Sequence, residues 1–270
     1  ALSGPTMSET YLKRGVACYA CPIACRREVE VTEGPYRMAV GPGPEYETCA
    51  AFGTLLGQKD LAGVIKSNEW CNRYCVDSIT AGCTIAWAYD CFAKGLLTLE
   101  DTGGIPLEFG NVDGAIALLH KIARREGIGD LLAEGSRGAA RRLGRGSEEL
   151  TAEVKGLEIP MHDPRGSHGL ALAYMTSYRG ACHKAHLVEA IERQLTPQLQ
   201  ADGVSPDQIR CAARAELASV GTDVLVTAGI TPDDVGERFD IAERLSGLRT
   251  PDRAQRAALL LADCGDASQA

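Results

Sequence analysis

The residues best suited to chemistry in this sequence are three cysteines spaced C-x2-C-x3-C, namely Cys18, Cys21 and Cys25, with Pro22 among them. Thiolates at this spacing can converge on one side of a short turn that Pro22 stiffens. Iron–sulfur clusters take cysteine thiolates, often with one further donor from a distant part of the chain. A structural zinc site usually takes two separated pairs of ligands, and no second C-x2-C pair occurs. The spacing therefore favours an iron–sulfur cluster over zinc, and three unrelated buried thiols are the remaining alternative.

The composition narrows the class of protein. Of 270 residues, 45% are hydrophobic and 24% are charged, which is ordinary for a globular protein large enough for two domains. A net charge of −8 argues against nucleic acid and against an anionic membrane surface as partners. No apolar run approaches the roughly 18 residues of a membrane span. Eleven cysteines, an odd number, suit a reducing cytoplasm with metal chemistry better than a disulfide framework.

The pattern of apolar residues predicts an almost entirely helical chain. Segment 29–46 is predicted as a loop because Gly and Pro interrupt it, and no run alternates cleanly enough to indicate a strand. The predicted helices cover residues 8–16, 45–56, 60–75, 77–93, 113–126, 130–143, 170–195, 205–229, 231–248 and 251–262. We therefore predict an all-α, multi-helical fold of two packed helical domains, 1–147 and 148–270, separated near the charged Gly/Ser turn at 144–150.

The starts of several helices are predicted from capping residues. Ser8, Asp60, Asp113 and Asp130 each precede an apolar periodic segment and are predicted to lie at its N-terminus. The helix at 77–93 is apolar on nearly every side, which indicates that it is buried.

Four motifs along the chain occur in an order that resembles the aldehyde ferredoxin oxidoreductase family of tungsten or molybdenum pterin enzymes. They are Cys-Tyr-Ala-Cys-Pro-Ile-Ala-Cys at 18–25, Gly-Pro-Glu-Tyr-Glu at 43–47, Asp-Pro-Arg-Gly at 163–166 and Arg-Gly-Ala-Cys-His at 179–183. The resemblance covers roughly residues 10–250 and is to the family's second and third domains. It implies that a β-rich pterin domain precedes this region in similar proteins. Because the sequence begins at Ala1 and nothing in it resembles that domain, we expect a fragment of a longer enzyme or one subunit of a split one.

The resemblance implies roles for residues of the cluster and of proton transfer. Cys18, Cys21 and Cys25 match three ligands of a [4Fe–4S] cluster, and Glu47 and His183 match two proton-handling groups beside the metal. Histidine titrates near neutral pH, and a carboxylate in a dry pocket has its pKa raised, so both residue types suit this role. The alternatives remain that Glu47 only favours a helix dipole, and that His183 and His186 form a solvated pair or a partner for Glu189.

The resemblance also implies pterin contacts. Arg179 matches one of them, and the family's D-x-x-G-L-D pterin motif corresponds to Asn72-Arg73-Tyr74-Cys75-Val76-Asp77. The last aspartate of the motif is therefore retained as Asp77, with Val76 before it, and Asn72 stands in place of the motif's first aspartate. Asp77 is alternatively a helix N-cap.

The fourth cluster ligand is where this sequence departs from the family. In the family, the cysteine of a D-x-x-G-L-C motif is the fourth ligand. In this sequence Asp223 stands in the place of that cysteine, and Cys211 lies twelve residues earlier. On one helix the two would be about 18 Å apart, so both cannot reach the cluster. We favour Asp223 because of its place in the motif. Lys66 likewise stands where the family's dimer-interface metal site has a carboxylate.

Two functional classes follow. The first is the helical part of an enzyme that oxidises a small aldehyde to a carboxylic acid at the pterin metal. Its electrons leave through the cluster to ferredoxin or a similar carrier, and its partner is a pterin-binding N-terminal domain or subunit. The second is a cluster-only electron-transfer or interaction module that has lost the pterin site, which Asn72, Ala218 and Asp223 suggest.

Overall fold

The chain was analysed as a computed structural model, which describes residues 1–20, 22, 24–164 and 168–184. It divides into two compact units, residues 1–161 and 162–270. We expected a boundary between residues 147 and 148. That position lies inside the short 3₁₀ helix Ser147–Leu150, and the first unit continues to Met161. The helices predicted at 205–229, 231–248 and 251–262 lie outside the described residues.

The first unit combines helices with two small sheets. Its helices are α1 (Gly4–Thr10), α2 (Tyr46–Cys49, continued by a π-helix at Ala50–Thr54), α3 (Leu61–Tyr74), α4 (Ser78–Ala93), α5 (Leu99–Thr102), α6 (Val112–Arg124), α7 (Ile128–Leu132) and α8 (Gly135–Leu143). Its strands are β1 (Leu12–Val16), β2 (Arg26–Val31), β3 (Met38–Pro42), β4 (Glu153–Val154) and β5 (Leu157–Glu158). In the second unit, α9 (His168–Thr176) is the helix of the described residues.

The prediction of an all-α fold is wrong for the N-terminal part of the chain. Helix α1 begins after the N-cap Ser3, not Ser8, and ends at Thr10, so residues 12–16 form a strand. Strands β1, β2 and β3 form an antiparallel sheet in that order. The segment predicted as a loop at 29–46 contains the end of β2 and all of β3.

Pairing between distant residues explains this sheet. Lys13 Nζ lies 2.7 Å from a carboxylate oxygen of Glu30, and Arg14 Nε donates to Glu28 at 2.6 Å, so opposite charges face each other across β1 and β2. The valines of β2, Val29 and Val31, point to the core and are buried. The alternation of Glu and Val therefore marks a strand with one solvated face, but only over a few residues.

Helices α3, α4 and α6 form much of the first unit's core, and glycines let them approach closely. A Cβ on Gly63 of α3 would lie 2.7 Å from a methyl carbon of Val112, and one on Gly82 of α4 would lie 2.7 Å from Ala51. Real Cβ atoms do not approach that closely, so these contacts require glycine. The prediction that the apolar helix at 77–93 is buried is confirmed by α4, whose Ile85 and Tyr89 are fully buried.

The capping residues were predicted with mixed success. Asp60 and Asp77 are N-caps, accepting from Ala62 N at 2.9 Å and from Thr80 N at 2.7 Å respectively. The cap of α6 is Asn111 rather than Asp113, and its side chain accepts from Gly114 N at 3.0 Å. The single helix predicted at 130–143 is two helices, α7 and α8. Gly135, with φ of +74°, begins the second of them.

In the second unit, the helix predicted at 170–195 ends at Thr176, and residues 177–184 are not helical. None of the helices in the described residues is long and apolar enough to cross a membrane.

One buried carboxylate joins β5 to α8. Glu158 is 2% exposed, and its Oε1 accepts from both the backbone N and the hydroxyl of Ser136, each at 2.8 Å. Ser136 lies in the first turn of α8, where backbone N–H groups lack helical partners and the helix dipole favours a negative charge. Glu158 therefore caps this helix from a distant part of the chain.

Replacing this carboxylate should destabilise the first unit. Glu158→Ala should lower the free energy of unfolding by about 1–3 kcal/mol, because it leaves the buried N–H and hydroxyl of Ser136 without their acceptor. Denaturant unfolding followed by tryptophan fluorescence reports on this unit, since both tryptophans, Trp70 and Trp87, lie in it. The control is Glu149→Ala, at an exposed glutamate nearby. Equal effects of the two substitutions would contradict the capping role.

Candidate functional site

The cysteine motif lies at the tip of a β-hairpin. Strands β1 and β2 pair as far as Val16 and Arg26, which closes the base of the loop at 17–25. Within this loop Cys18 and Cys25 are exposed free cysteines. Cys21 lies outside the described residues. The pairing of Val16 with Arg26 therefore places the first and last cysteines of the motif in one loop that the two strands close.

The loop backbone has an unusual conformation at two alanines. Ala20 has φ of 56° and Ala24 has φ of 50°, and each directly precedes a cysteine. The left-handed region costs a residue with a Cβ roughly 1–2 kcal/mol. Such strain tends to cluster at ligand and active sites, where the surroundings maintain it. A loop with repeated left-handed residues and exposed thiols fits a bound thiolate-ligated cluster better than an ordinary hairpin turn.

A pocket of about 310 Å³ opens where the start of β2 and the end of β3 meet α2, α3 and α4. Its walls include Asn72, Val76 and Asp77, the three residues of the predicted pterin motif. Arg26, the residue directly after Cys25, also lines it. The structure thus brings the three motif residues together at one cavity, in the same compact unit as the cysteine hairpin.

The junction between α3 and α4 shapes one wall of this pocket. Cys75, with φ of 54°, ends α3 in the left-handed conformation, and Val76 N donates back to Cys71 O at 3.0 Å. Two residues later Asp77 caps α4. The alternative that Asp77 is an N-cap is therefore confirmed, and the same residue also lines the pocket.

The polar groups of the pocket have both signs. Arg26 supplies a positive charge, while Glu45 and Asp77 supply negative ones, and a carboxylate oxygen of Glu45 lies 3.8 Å from Arg27 Nη1. Burial, with a smaller effect of Asp77, raises the pKa of Cys71 to about 12, so this pocket thiol is protonated at neutral pH. Such a lining suits a polar ligand with both hydrogen-bond donors and acceptors, as a pterin is.

Further hydrogen bonds hold the first turn of α2 in place. Glu47 is half-buried there, and its Oε2 accepts from Met161 N at 2.8 Å, while the Tyr46 hydroxyl donates to Met161 O at 2.9 Å. The Thr48 and Ser78 hydroxyls lie 2.7 Å apart and tie α2 to α4. The carboxylate of Glu47 is therefore fixed by a distant backbone group and does more than favour its own helix.

The thiol of Cys83 lies among the carboxylates of this region. Its pKa is raised to about 12, mainly by burial, then by Glu158, Glu47 and Asp77. Cys83 Sγ donates to Ile159 O at 3.6 Å. This thiol is accordingly a protonated donor at neutral pH.

In the second unit, His183 and Arg179 lie in the turn region after α9. The rings of His183 and His162 stack with centroids 4.6 Å apart, and the Tyr174 hydroxyl donates to His162 O at 3.2 Å. Arg179 is exposed, and its backbone N donates to Ser177 Oγ at 3.3 Å. His183 lies in a turn, and His186, its partner in the alternative of a solvated pair, lies outside the described residues.

Sequence analysis missed His162, although it stands directly before the Asp-Pro-Arg-Gly motif at 163–166. Its position directly before this motif was the signal that could have identified it. The stack brings two imidazole rings together in the second unit.

Several expectations about the site stay predictions. Glu47 belongs to the first unit and His183 to the second, so a shared cavity for them is still a hypothesis. The contact of Arg179 with the pterin also stays a prediction. Asp223 and Cys211, the two candidates for the fourth cluster ligand, lie outside the described residues.

Loss of one cysteine should prevent cluster assembly. Cys21→Ser should abolish the broad visible absorbance near ~400 nm and lower the iron content, because the motif then supplies two thiolates instead of three. The matched control is Cys75→Ser, an exposed cysteine outside the hairpin, which should keep its iron. Unchanged iron in Cys21→Ser would sink the cluster assignment.

The left-handed alanines give a second test. Ala24→Gly should retain the cluster, whereas Ala24→Val should accelerate iron loss several-fold, because a β-branched side chain strongly disfavours positive φ. Ala17→Val in the same loop, where φ is not positive, serves as the control. Iron release to a chelator, followed by absorbance, measures the rates. Equal rates for the two valine variants would show that the backbone conformation is unimportant.

Comparisons with known proteins agree with the resemblance. The family model for aldehyde ferredoxin oxidoreductase, domains 2 and 3, matches residues 1–241. The tungsten-containing aldehyde ferredoxin oxidoreductases of Pyrococcus furiosus and Pyrococcus abyssi are 36% and 34% identical over 274 and 278 residues. In each case the alignment covers 92% of this chain and 44% of the relative.

Two relatives have other names. An aliphatic sulfonate oxidoreductase, WOR-like subunit, of Pyrococcus furiosus is 30% identical over 190 residues, covering 65% of this chain and 29% of that protein. The active site complex BamBC of benzoyl coenzyme A reductase, solved with 1,5-dienoyl-CoA, superposes with a TM-score of 0.51 at 27% identity. That match covers 58% of this chain and 23% of the other. With most of its length matched by the family model, this chain belongs to the aldehyde ferredoxin oxidoreductase family and corresponds to its domains 2 and 3.

Proposed function

We propose that this chain forms part of a tungsten or molybdenum pterin enzyme that oxidises an aldehyde to a carboxylic acid and passes the electrons through a [4Fe–4S] cluster to ferredoxin. One observation carries the proposal. Arg26 follows the last cysteine of the motif and lines the same pocket as Asn72 and Asp77, so β2 directly connects the two candidate cofactor sites. A short separation between two redox centres is what transfer of single electrons requires.

The residues of the first unit would hold the two cofactors in different ways. Cys18, Cys21 and Cys25 would ligate the cluster, and the pocket residues Asn72, Val76 and Asp77 would hold the pterin through hydrogen bonds and packing. When bound, the pterin metal supplies the two-electron chemistry, and the protein orients the substrate and leads electrons away. The positive charge of Arg26 suits anionic parts of such a cofactor.

Aldehyde oxidation also releases protons, and this chain offers groups to move them. The Met161 N–H fixes one oxygen of Glu47, which orients the carboxylate. His183, stacked on His162, supplies an imidazole, the side chain that most often serves as a general acid or base. In this proposal Glu47 and His183 act as the proton-transfer groups, and His162 positions the His183 ring.

The substrate and the partners belong to the whole enzyme. This chain spans 44% of the length of the tungsten enzymes it matches, so we propose that a pterin-binding domain or subunit completes the site. The names of the tungsten enzymes favour an aldehyde as the substrate. The names of the sulfonate and benzoyl coenzyme A enzymes indicate that similar proteins also act on other substrates. The reducing cytoplasm suits a chain with eleven cysteines.

The second candidate function is a cluster-only module. Asn72 in place of the aspartate of the pterin motif favours it, and so does Asp223 in place of a cysteine. The position of Asn72, Val76 and Asp77 together in the wall of one polar pocket weighs against it.

Elemental analysis tests the proposal most directly. The purified protein should contain iron together with tungsten or molybdenum, and Asp77→Leu should lower the tungsten or molybdenum content while iron stays bound. Because Asp77 also caps α4, circular dichroism must first show that the variant folds. Iron alone in the unmodified protein would instead support the cluster-only module.

Activity of the loaded enzyme tests the proton-transfer role. Glu47→Gln should keep both metals and lose about 100-fold or more in kcat for aldehyde oxidation, the typical size of a general acid–base contribution. Glu108→Gln, at an exposed glutamate of the first unit that does not line the pocket, is the control. A Glu47→Gln enzyme with unchanged kcat would remove Glu47 from the mechanism.

A further inference from the structure

Asn68 lies in the wall of the pocket, one helical turn before Asn72 on α3. It is not part of any motif, and as an asparagine within a helix it gave no functional signal in the sequence. It is nevertheless buried, with 7% exposure, and it shares the pocket with Cys71 and Asp77. A buried amide in a cavity wall needs partners for its polar atoms.

One hydrogen bond fixes the orientation of this amide. Asn68 Nδ2 donates to Pro42 O at 2.8 Å, and a backbone carbonyl can only accept, so the NH₂ group must face Pro42. The carbonyl oxygen Oδ1 then points the other way. Among the described residues, no donor reaches Oδ1, which leaves it as an acceptor for a group in the pocket.

The other polar groups on this side of the pocket are mostly occupied. The hydroxyls of Thr48 and Ser78 bond to each other, and the Oδ2 atom of Asp77 accepts from the N-terminus of α4. Cys71 is a protonated thiol and only a weak donor. The acceptors that α3 and the start of α4 offer to a ligand therefore include the amide oxygens of Asn68 and Asn72 and the second carboxylate oxygen of Asp77, and of the two amides that of Asn68 is oriented by its bond to Pro42 O.

We propose that Asn68 is a further cofactor-recognition residue, whose Oδ1 accepts a hydrogen bond from an N–H group of the 2-amino-4-oxopyrimidine ring of a pterin. This inference rests on the proposed function. That ring carries its 2-amino group and its N3–H side by side, so one edge of it is rich in donors. A ligand with acceptors only on that edge would leave the Asn68 oxygen unpaired, which is how a polar site rejects the wrong ligand.

The test combines variants of the protein with variants of the ligand. The purified protein, prepared without tungstate or molybdate, is titrated with fluorescent pterin, N2,N2-dimethylpterin and 3-methylpterin. For the unmodified protein, at least one methylated ligand should bind about fivefold to tenfold more weakly, the value of one neutral hydrogen bond. In Asn68→Ala, the penalty for that same methylation should fall below about twofold.

The matched control is Ser67→Ala, at the neighbouring buried residue, whose hydroxyl donates to Gly63 O at 3.0 Å within α3. It should keep the full penalty of the unmodified protein. A structural disturbance alone would weaken all three ligands equally, whereas a lost hydrogen bond removes only the difference between them. If Asn68→Ala does not fold, the unmodified protein decides, because equal affinities for the three ligands overturn the proposal.

The outcomes separate this inference from the proposed function. Pterin binding with an unchanged methylation penalty in Asn68→Ala overturns the role of Asn68 and leaves the proposed function standing. If the protein binds no pterin but contains tungsten or molybdenum when prepared with them, the pocket role of Asn68 is again overturned and the metal enzyme remains. No pterin binding and iron alone would contradict both.

Discussion

The turn between α3 and α4 is the constraint on which both the pocket and the helical core depend. Cys75 adopts a left-handed conformation that stops α3, and two residues later the carboxylate of Asp77 accepts from Thr80 N to begin α4. This sharp reversal aims the end of one helix and the start of the next at the same cavity. Because α4 is buried, its starting point cannot move without disturbing the core. One aspartate therefore both caps a buried helix and lines the pocket.

The hairpin depends on that arrangement through β2 and its neighbours. A Cβ on Gly43 would lie 2.9 Å from a methyl carbon of Val29, so the chain leaving β3 runs directly against β2. Asn68 then fastens this chain to α3 through Pro42 O. Strand β2, which begins directly after Cys25, is therefore packed beside the pocket, and the cysteine loop extends from this strand.

Local signals in the sequence predicted part of this structure, and non-local pairing decided the rest. Helices α3 and α4 were predicted because Asp60 and Asp77 precede long apolar patterns, which are local properties. Strand β1 was missed because its charged residues also suit a helix surface, and only the partners on β2 make them a strand. The cysteine spacing was readable, whereas the left-handed alanines were not, since alanine has no preference for positive φ. The orientation of Asn68 was hidden because it depends on a contact with the distant carbonyl of Pro42.

Burial explains why so many cysteines need not compete for one cluster. A thiol must lose its proton to ligate metal, and burial raises the pKa of Cys71 and Cys83 to about 12 and that of Cys49 and Cys91 to about 11. These four are held as protonated, inert packing groups. Cys18 and Cys25 of the hairpin are instead exposed, in a loop that contains the left-handed residues Ala20 and Ala24. Burial therefore separates these two cysteines of the predicted cluster motif from the four thiols packed in the first unit.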